Sequence, residues 1–155
     1  MAMGTALLGL FALLLGCSGT AAEPRNSERF APRKCALTGN WVSNRGSKMV
    51  ITDSDNSGVF SGSYLTAMAA TDNAIRPSPL QGVQHQVDRR AQPTFGFTVN
   101  WSFSESVAVF AGQCFLDGDG EEQLKTTWLL REEVESVAED WGATRVGTDT
   151  FYRTK

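Results

Sequence analysis

The chain has 155 residues, 41% of them apolar and 20% charged, and a formal net charge of −3. That length fits one domain, and the apolar share is enough to fill one core. So even a charge balance argues against a nucleic-acid-binding protein.

Residues 1–22, MAMGTALLGLFALLLGCSGTAA, hold no charged side chain. Their apolar run, Ala6 to Leu15, is too short to span a bilayer and is followed by small residues. This is the pattern of a secretory signal, with cleavage expected after Ala22. Leu15-Gly16-Cys17 also resembles a bacterial lipoprotein box, but the basic n-region of such a signal is absent. The expectation is a secreted, extracellular chain without a membrane span. Residues 23–34, EPRNSERFAPRK, are polar with two prolines and read as a flexible leader. A single domain is expected over residues 35–153. Beyond the signal only Cys35 and Cys114 remain. In an oxidising compartment one disulfide is their simplest fate, two free thiols the alternative.

From here the pattern is strand after strand. The spacing predicts strands at Gly39 to Asn44, Lys48 to Asp53, Val59 to Thr66, Pro79 to Gln86, Thr94 to Phe103, Val107 to Leu116, Gln123 to Leu130 and Thr144 to Tyr152. The fifth is the clearest, with Phe95, Phe97, Val99, Trp101 and Phe103 alternating with smaller or polar residues. Ser104 and Ser106 follow it, and hydroxyls there need partners if buried. Arg131 to Asp140, REEVESVAED, is the one helical candidate. Short, turn-rich connections such as Ser54 to Gly58 and Asp117 to Gly120 imply antiparallel neighbours. The fold class expected is all-β: an eight-stranded antiparallel up-and-down β-barrel, because closure removes exposed edges. Such a barrel has room inside for side chains or for one small ligand.

Several chemistries find little support. Asp53-x-Asp55-x-Ser57-Gly58 copies the start of a calcium loop, but Tyr64 stands where the bidentate Glu belongs, so a hairpin turn is the better reading. His85 is the only histidine, which leaves no zinc cluster, and no G-x-S-x-G elbow accompanies it. Asn100-Trp101-Ser102 is a glycosylation sequon. Aromatics at period two usually mean core. Four tryptophans, Trp41, Trp101, Trp128 and Trp141, interleaved with hydroxyls and one acid near strand ends, fit a ligand box better.

The segments KCALTGNW, SGSYLTA, QPTFGFTVNWSFSES, VFAGQCF, LKTTWLLR and DWGATRVGTDTF resemble the avidins over residues 34–153. The resemblance implies a non-enzymatic protein that needs no cofactor and holds biotin as a bound ligand. It places the biotin rings among Trp101, Phe103, Phe110, Trp128 and Leu130. It gives the ureido oxygen to Ser47 and Tyr64, and the ureido N–H groups to Asp149 and Thr66. It sets the carboxylate against Ala70, Thr71, Ser104 and Ser106. It also implies a homotetramer in which Trp141 reaches a neighbour's site, and it gives Arg145 a structural role beside Trp41.

Departures from the family pattern qualify this. Ser43 stands where an amide would reach the ureido oxygen, Ala108 replaces a threonine near the sulfur, and Ala69 removes a hydroxyl near the carboxylate. Each lost hydrogen bond costs about 1–3 kcal/mol, so binding is expected to be tight but weaker than in the archetype. A calycin-type barrel carrying a different small hydrophobic ligand is the alternative; a hydrolase built on His85 has no motif behind it.

Overall fold

The structure, a computed structural model, describes residues 34–69, 71–85 and 92–154. The expected signal segment, the leader up to residue 33, Ala70 and Gln86 lie outside the described residues. Eight strands follow in order: β1 (Gly39–Ser43), β2 (Lys48–Ile51), β3 (Val59–Leu65), β4 (Ser78–Gln84), β5 (Thr94–Asn100), β6 (Ser106–Leu116), β7 (Glu122–Glu132) and β8 (Thr144–Arg153). Each pairs antiparallel with the next, and β8 returns to β1, closing the barrel. The expected up-and-down topology is the one observed.

Two-residue periodicity sets the inside. In β5, Phe95, Phe97 and Val99 are buried while Thr94, Thr98 and Asn100 face solvent. The strand ends at Asn100, earlier than expected, where Trp101 N–H bonds back to Ser106 O and the chain turns into β6. Phe103 is nevertheless buried within that turn. The helix expected over Arg131 to Asp140 is corrected. β7 runs on through Arg131 and Glu132, which pair with Thr144 of β8 and Ser106 of β6, and only a short 3₁₀ helix, Val137–Gly142, follows. Ladder bonds on both sides of β7 outweigh the local helical preference of a short acidic run.

One end of the barrel is plugged. Trp41 is fully buried, its indole N–H donates to Leu37 O at 2.7 Å, and the Arg153 guanidinium stacks 4.0 Å from its ring centre. Phe60, Phe95, Leu124 and Phe151 fill the barrel around it. The hairpins at this end are fixed by their acids: Asp55 Oδ1 accepts from the N–H groups of Ser57 and Val59, and Asp117 Oδ1 from those of Asp119 and Glu121. Asp55, the centre of the calcium-like sequence, thus spends its carboxylate on a turn. At the opposite end emerge the β1–β2, β3–β4, β5–β6 and β7–β8 connections.

Cys35 and Cys114 form a disulfide across a sequence separation of 79 residues. A cross-link closing a loop of that size stabilises a fold by about 4–5 kcal/mol in the chain-entropy account. The Cys35→Ser/Cys114→Ser variant is therefore expected to lose about 2–5 kcal/mol of unfolding free energy in a urea titration followed by tryptophan fluorescence. An unchanged midpoint would show that loop closure contributes nothing here.

Candidate functional site

Where the plug stops, the barrel is hollow. A cavity of about 800 Å³ opens at the end opposite Trp41, within the range of small-molecule sites. Its walls come from strands at fixed register. Trp128 of β7 lies across from Gly147 of β8, and a Cβ on that glycine would come within 2.3 Å of the indole ring. Only glycine lets Trp128 lie against the wall. Tyr64 packs between Trp101, at 5.5 Å edge-on, and Phe110, at 5.5 Å, while Phe110 stacks 4.5 Å from Phe97 in the core. The aromatic wall is thus continuous with the barrel interior.

Most of the residues singled out by sequence line this cavity: Ser47, Tyr64, Thr66, Thr71, Trp101, Phe103, Ser104, Ser106, Phe110, Trp128, Leu130 and Asp149, with Ala69 and Ala108 beside them. Ser43 does not. It is buried in the β1–β2 turn, where its Oγ accepts from the N–H groups of Arg45 and Ser47 at 3.2 and 3.0 Å, around Gly46 with φ of +88°. Trp141 is 89% exposed on the 3₁₀ helix and does not line the cavity. Ala70 is outside the described residues. His85 is exposed at the plugged end, next to the β4–β5 connection, and lines no part of the cavity.

The placement of Arg145 is a correction. It sits at the open end, with Nη2 3.1 Å from Glu132 Oε2. β8 starts at the mouth, so its second residue cannot reach the plug; Arg153, paired in register with Trp41, takes that position. Sequence reasoning also missed Arg45, Glu105, Glu132, Glu133 and Glu135, all of which line the cavity. Their signal was their place at the mouth, Glu132 at the end of β7 and the others in the connections, next to residues already singled out.

Inside the cavity the polar atoms are partly unsatisfied. Asp149 Oδ1 and the indole N–H groups of Trp101 and Trp128 are buried without an aligned hydrogen-bond partner. Arg45 Nε lies 3.3 Å from Asp149 Oδ1, an ion pair not aligned as a hydrogen bond. Burial pushes the Asp149 carboxyl above its ordinary range, and the Arg45 charge and the Trp128 indole oppose that shift. Burial also pushes the Tyr64 phenol up to about 12, against the Ser47 hydroxyl and with the Asp149 charge, so Tyr64 is a neutral donor at any physiological pH. Thr66 Oγ1 donates to Met68 O at 2.7 Å and accepts from Met68 N–H at 3.3 Å, which leaves its oxygen one further lone pair. Two hydroxyl donors and two acceptors therefore line one aromatic chamber. That set can hold a polar, uncharged head with a carbonyl and N–H groups, and it contains no nucleophile–base pair.

The sequence model of the Avidin family matches residues 31–154. Avidin of Gallus gallus is 55% identical over 121 residues, covering 78% of this chain and 80% of that protein. Among solved structures, the X-ray structure of biotin binding protein from chicken superposes with a TM-score of 0.75 at 54% identity, covering 79% of this chain and 99% of that one. The crystal structure of Xenavidin does so with a TM-score of 0.75 at 46% identity, covering 79% and 100%.

The charge on Asp149 carries a stability cost. Its folded pKa is raised above the unfolded value of about 4, so the cost is fully present above the folded pKa and vanishes below the unfolded one. Asp149→Asn is expected to raise the melting temperature of the ligand-free protein at pH 7, with the gain shrinking as pH falls toward about 3. Melting curves across that range check it; a gain that grows on acidification would contradict the assigned shift.

Proposed function

This chain belongs to the avidin family, and from that premise we propose that its open half-barrel binds biotin, one molecule per subunit, and carries out no reaction on it. The observation that carries the reading is the buried Asp149 Oδ1 inside an aromatic chamber, paired in charge with Arg45 but accepting no aligned hydrogen bond. A cyclic urea supplies the N–H that this oxygen lacks, and Thr66 Oγ1 is the acceptor for the second. The ureido oxygen goes to the hydroxyls of Ser47 and Tyr64, with Tyr64 kept protonated by burial. Trp101, Phe103, Phe110, Trp128 and Leu130 then cover the apolar rings, each large side chain contributing on the order of 1.5–3 kcal/mol through surface removed from water. The tail extends to Thr71, Ser104, Ser106 and the backbone near Ala70.

Secretion of the chain, through a signal over residues 1–22, belongs to the same reading, as does assembly into a homotetramer. Val109, Leu129 and Val146 stand side by side on the outward faces of β6, β7 and β8, all exposed. Such a stripe supports association between copies. Trp141, exposed and absent from its own cavity, is suited to closing a neighbour's.

Calorimetric titration tests the reading directly: one biotin per chain is expected, with an affinity below that of the archetype. Restoring the amide with Ser43→Asn should slow dissociation, and an unchanged rate would mean that position 43 does not reach the ureido oxygen. Protonating Asp149 removes the acceptor, so affinity should fall by up to about tenfold per pH unit below its raised pKa. Asp149→Asn should flatten that dependence. Trp141→Lys should weaken binding if the indole covers a neighbouring site, and leave it unchanged if it does not.

A further inference from the structure

The chemistry of the mouth differs from that of the chamber beneath it. Glu105, Glu132, Glu133 and Glu135 line the cavity together with Asp149, against only Arg45 and Arg145. Five carboxylates against two guanidinium groups give the lining a formal charge of −3. Neither cation is free: Arg45 lies against Asp149 and Arg145 against Glu132. Glu105, Glu133 and Glu135 take part in no ion pair among the described residues. The β7–β8 connection is anchored across the mouth, because Glu133 N–H bonds to Glu105 O at 3.0 Å.

The donors at the mouth are also few. Ser104 Oγ and Ser106 Oγ bond to each other at 2.6 Å, so one of the two hydroxyl protons is already committed. Thr71 Oγ1 accepts from Asn73 N–H and so keeps its own proton to donate, while Ala69 has no hydroxyl to offer. Among the described side chains, a ligand carboxylate placed here would meet two hydroxyl protons, from Thr71 and from the Ser104–Ser106 pair, no cation outside an ion pair, and three carboxylates outside any ion pair. An amide would fare differently. Its carbonyl needs a single donor, and a cationic group beyond it would be attracted by the glutamates.

Resting on the biotin reading of the chamber, we propose that this mouth selects biotin whose tail is in amide linkage, with a neutral or positively charged extension, over the free acid. The chamber recognises the bicyclic head; the glutamates recognise what the head is attached to. Charges near the surface act over the Debye length, about 30 Å at 10 mM salt and about 8 Å at 150 mM, so the preference is strongest at low ionic strength.

The test is a series with one head and three tails: biotin, biotinamide and the mono-amide of biotin with ethylenediamine, carrying −1, 0 and +1. Their affinities for the full chain are measured by competition at low and at physiological salt. The expected order runs from cationic amide to free acid, with a spread of roughly fivefold or more near 10 mM salt that narrows as salt rises. E133Q/E135Q is expected to compress the spread at low salt. Tightest binding of the free acid, or a spread that neither salt nor E133Q/E135Q alters, overturns the proposal while leaving the biotin reading intact. Failure of all three to bind overturns the biotin reading itself and this inference with it.

Discussion

Closure of the sheet, β8 onto β1, is the constraint on which everything else rests. With all eight strands paired on both sides, the circumference is fixed, and the inside can be occupied only by what the strands point inward. At one end those residues are large and mutually satisfied, as where Trp41 gives its indole proton to Leu37 and receives the Arg153 guanidinium over its face. At the other end the inward set changes to Ala108, Ser47, Asp149 and rings held flat against the wall. A packed interior does not relax readily to fill such a space. The hollow is therefore a consequence of side-chain volume at fixed register, and Gly147 beside Trp128 is the sharpest single instance.

Inside that hollow, stability and binding pull in opposite directions. An ionised Asp149 in an aromatic chamber costs the ligand-free fold, and burial raises its pKa accordingly. Arg45, at the mouth side and half exposed, lowers the cost without removing it. The same unsatisfied oxygen rewards a ligand N–H, since a buried acceptor left alone costs on the order of 1–3 kcal/mol. Free energy withheld from the empty state is released on binding. The glutamates at the rim extend the logic outward, where charge in water acts weakly per group but steers what approaches.

Much of this was legible in the chain. Period-two alternation from Phe95 to Val99, the turn acids Asp55 and Asp117, and the spacing between short strands lead to an antiparallel barrel, because each follows from local geometry. The aromatic wall was legible too, since a strand's inward face is set by parity. Three features were not. The acidic stretch after Leu130 looks helical in isolation, but ladder bonds to Ser106 and Thr144 claim its first residues. Arg145 and Arg153 are alike as residues, and only the direction of β8 decides which one meets Trp41. Ser43 stands in a ligand-contact pattern, yet its hydroxyl folds back onto the turn.

The amino-acid order by itself determined the strands, the faces they bury and the chemistry available to a site, because periodicity and turn preference act over a few residues. Tertiary structure alone decided which charges share the cavity. Arg45, Glu105, Glu133 and Asp149 lie on four separate segments, and whether a carboxylate there meets a cation, an indole or water depends on how the closed barrel brings those segments to one end.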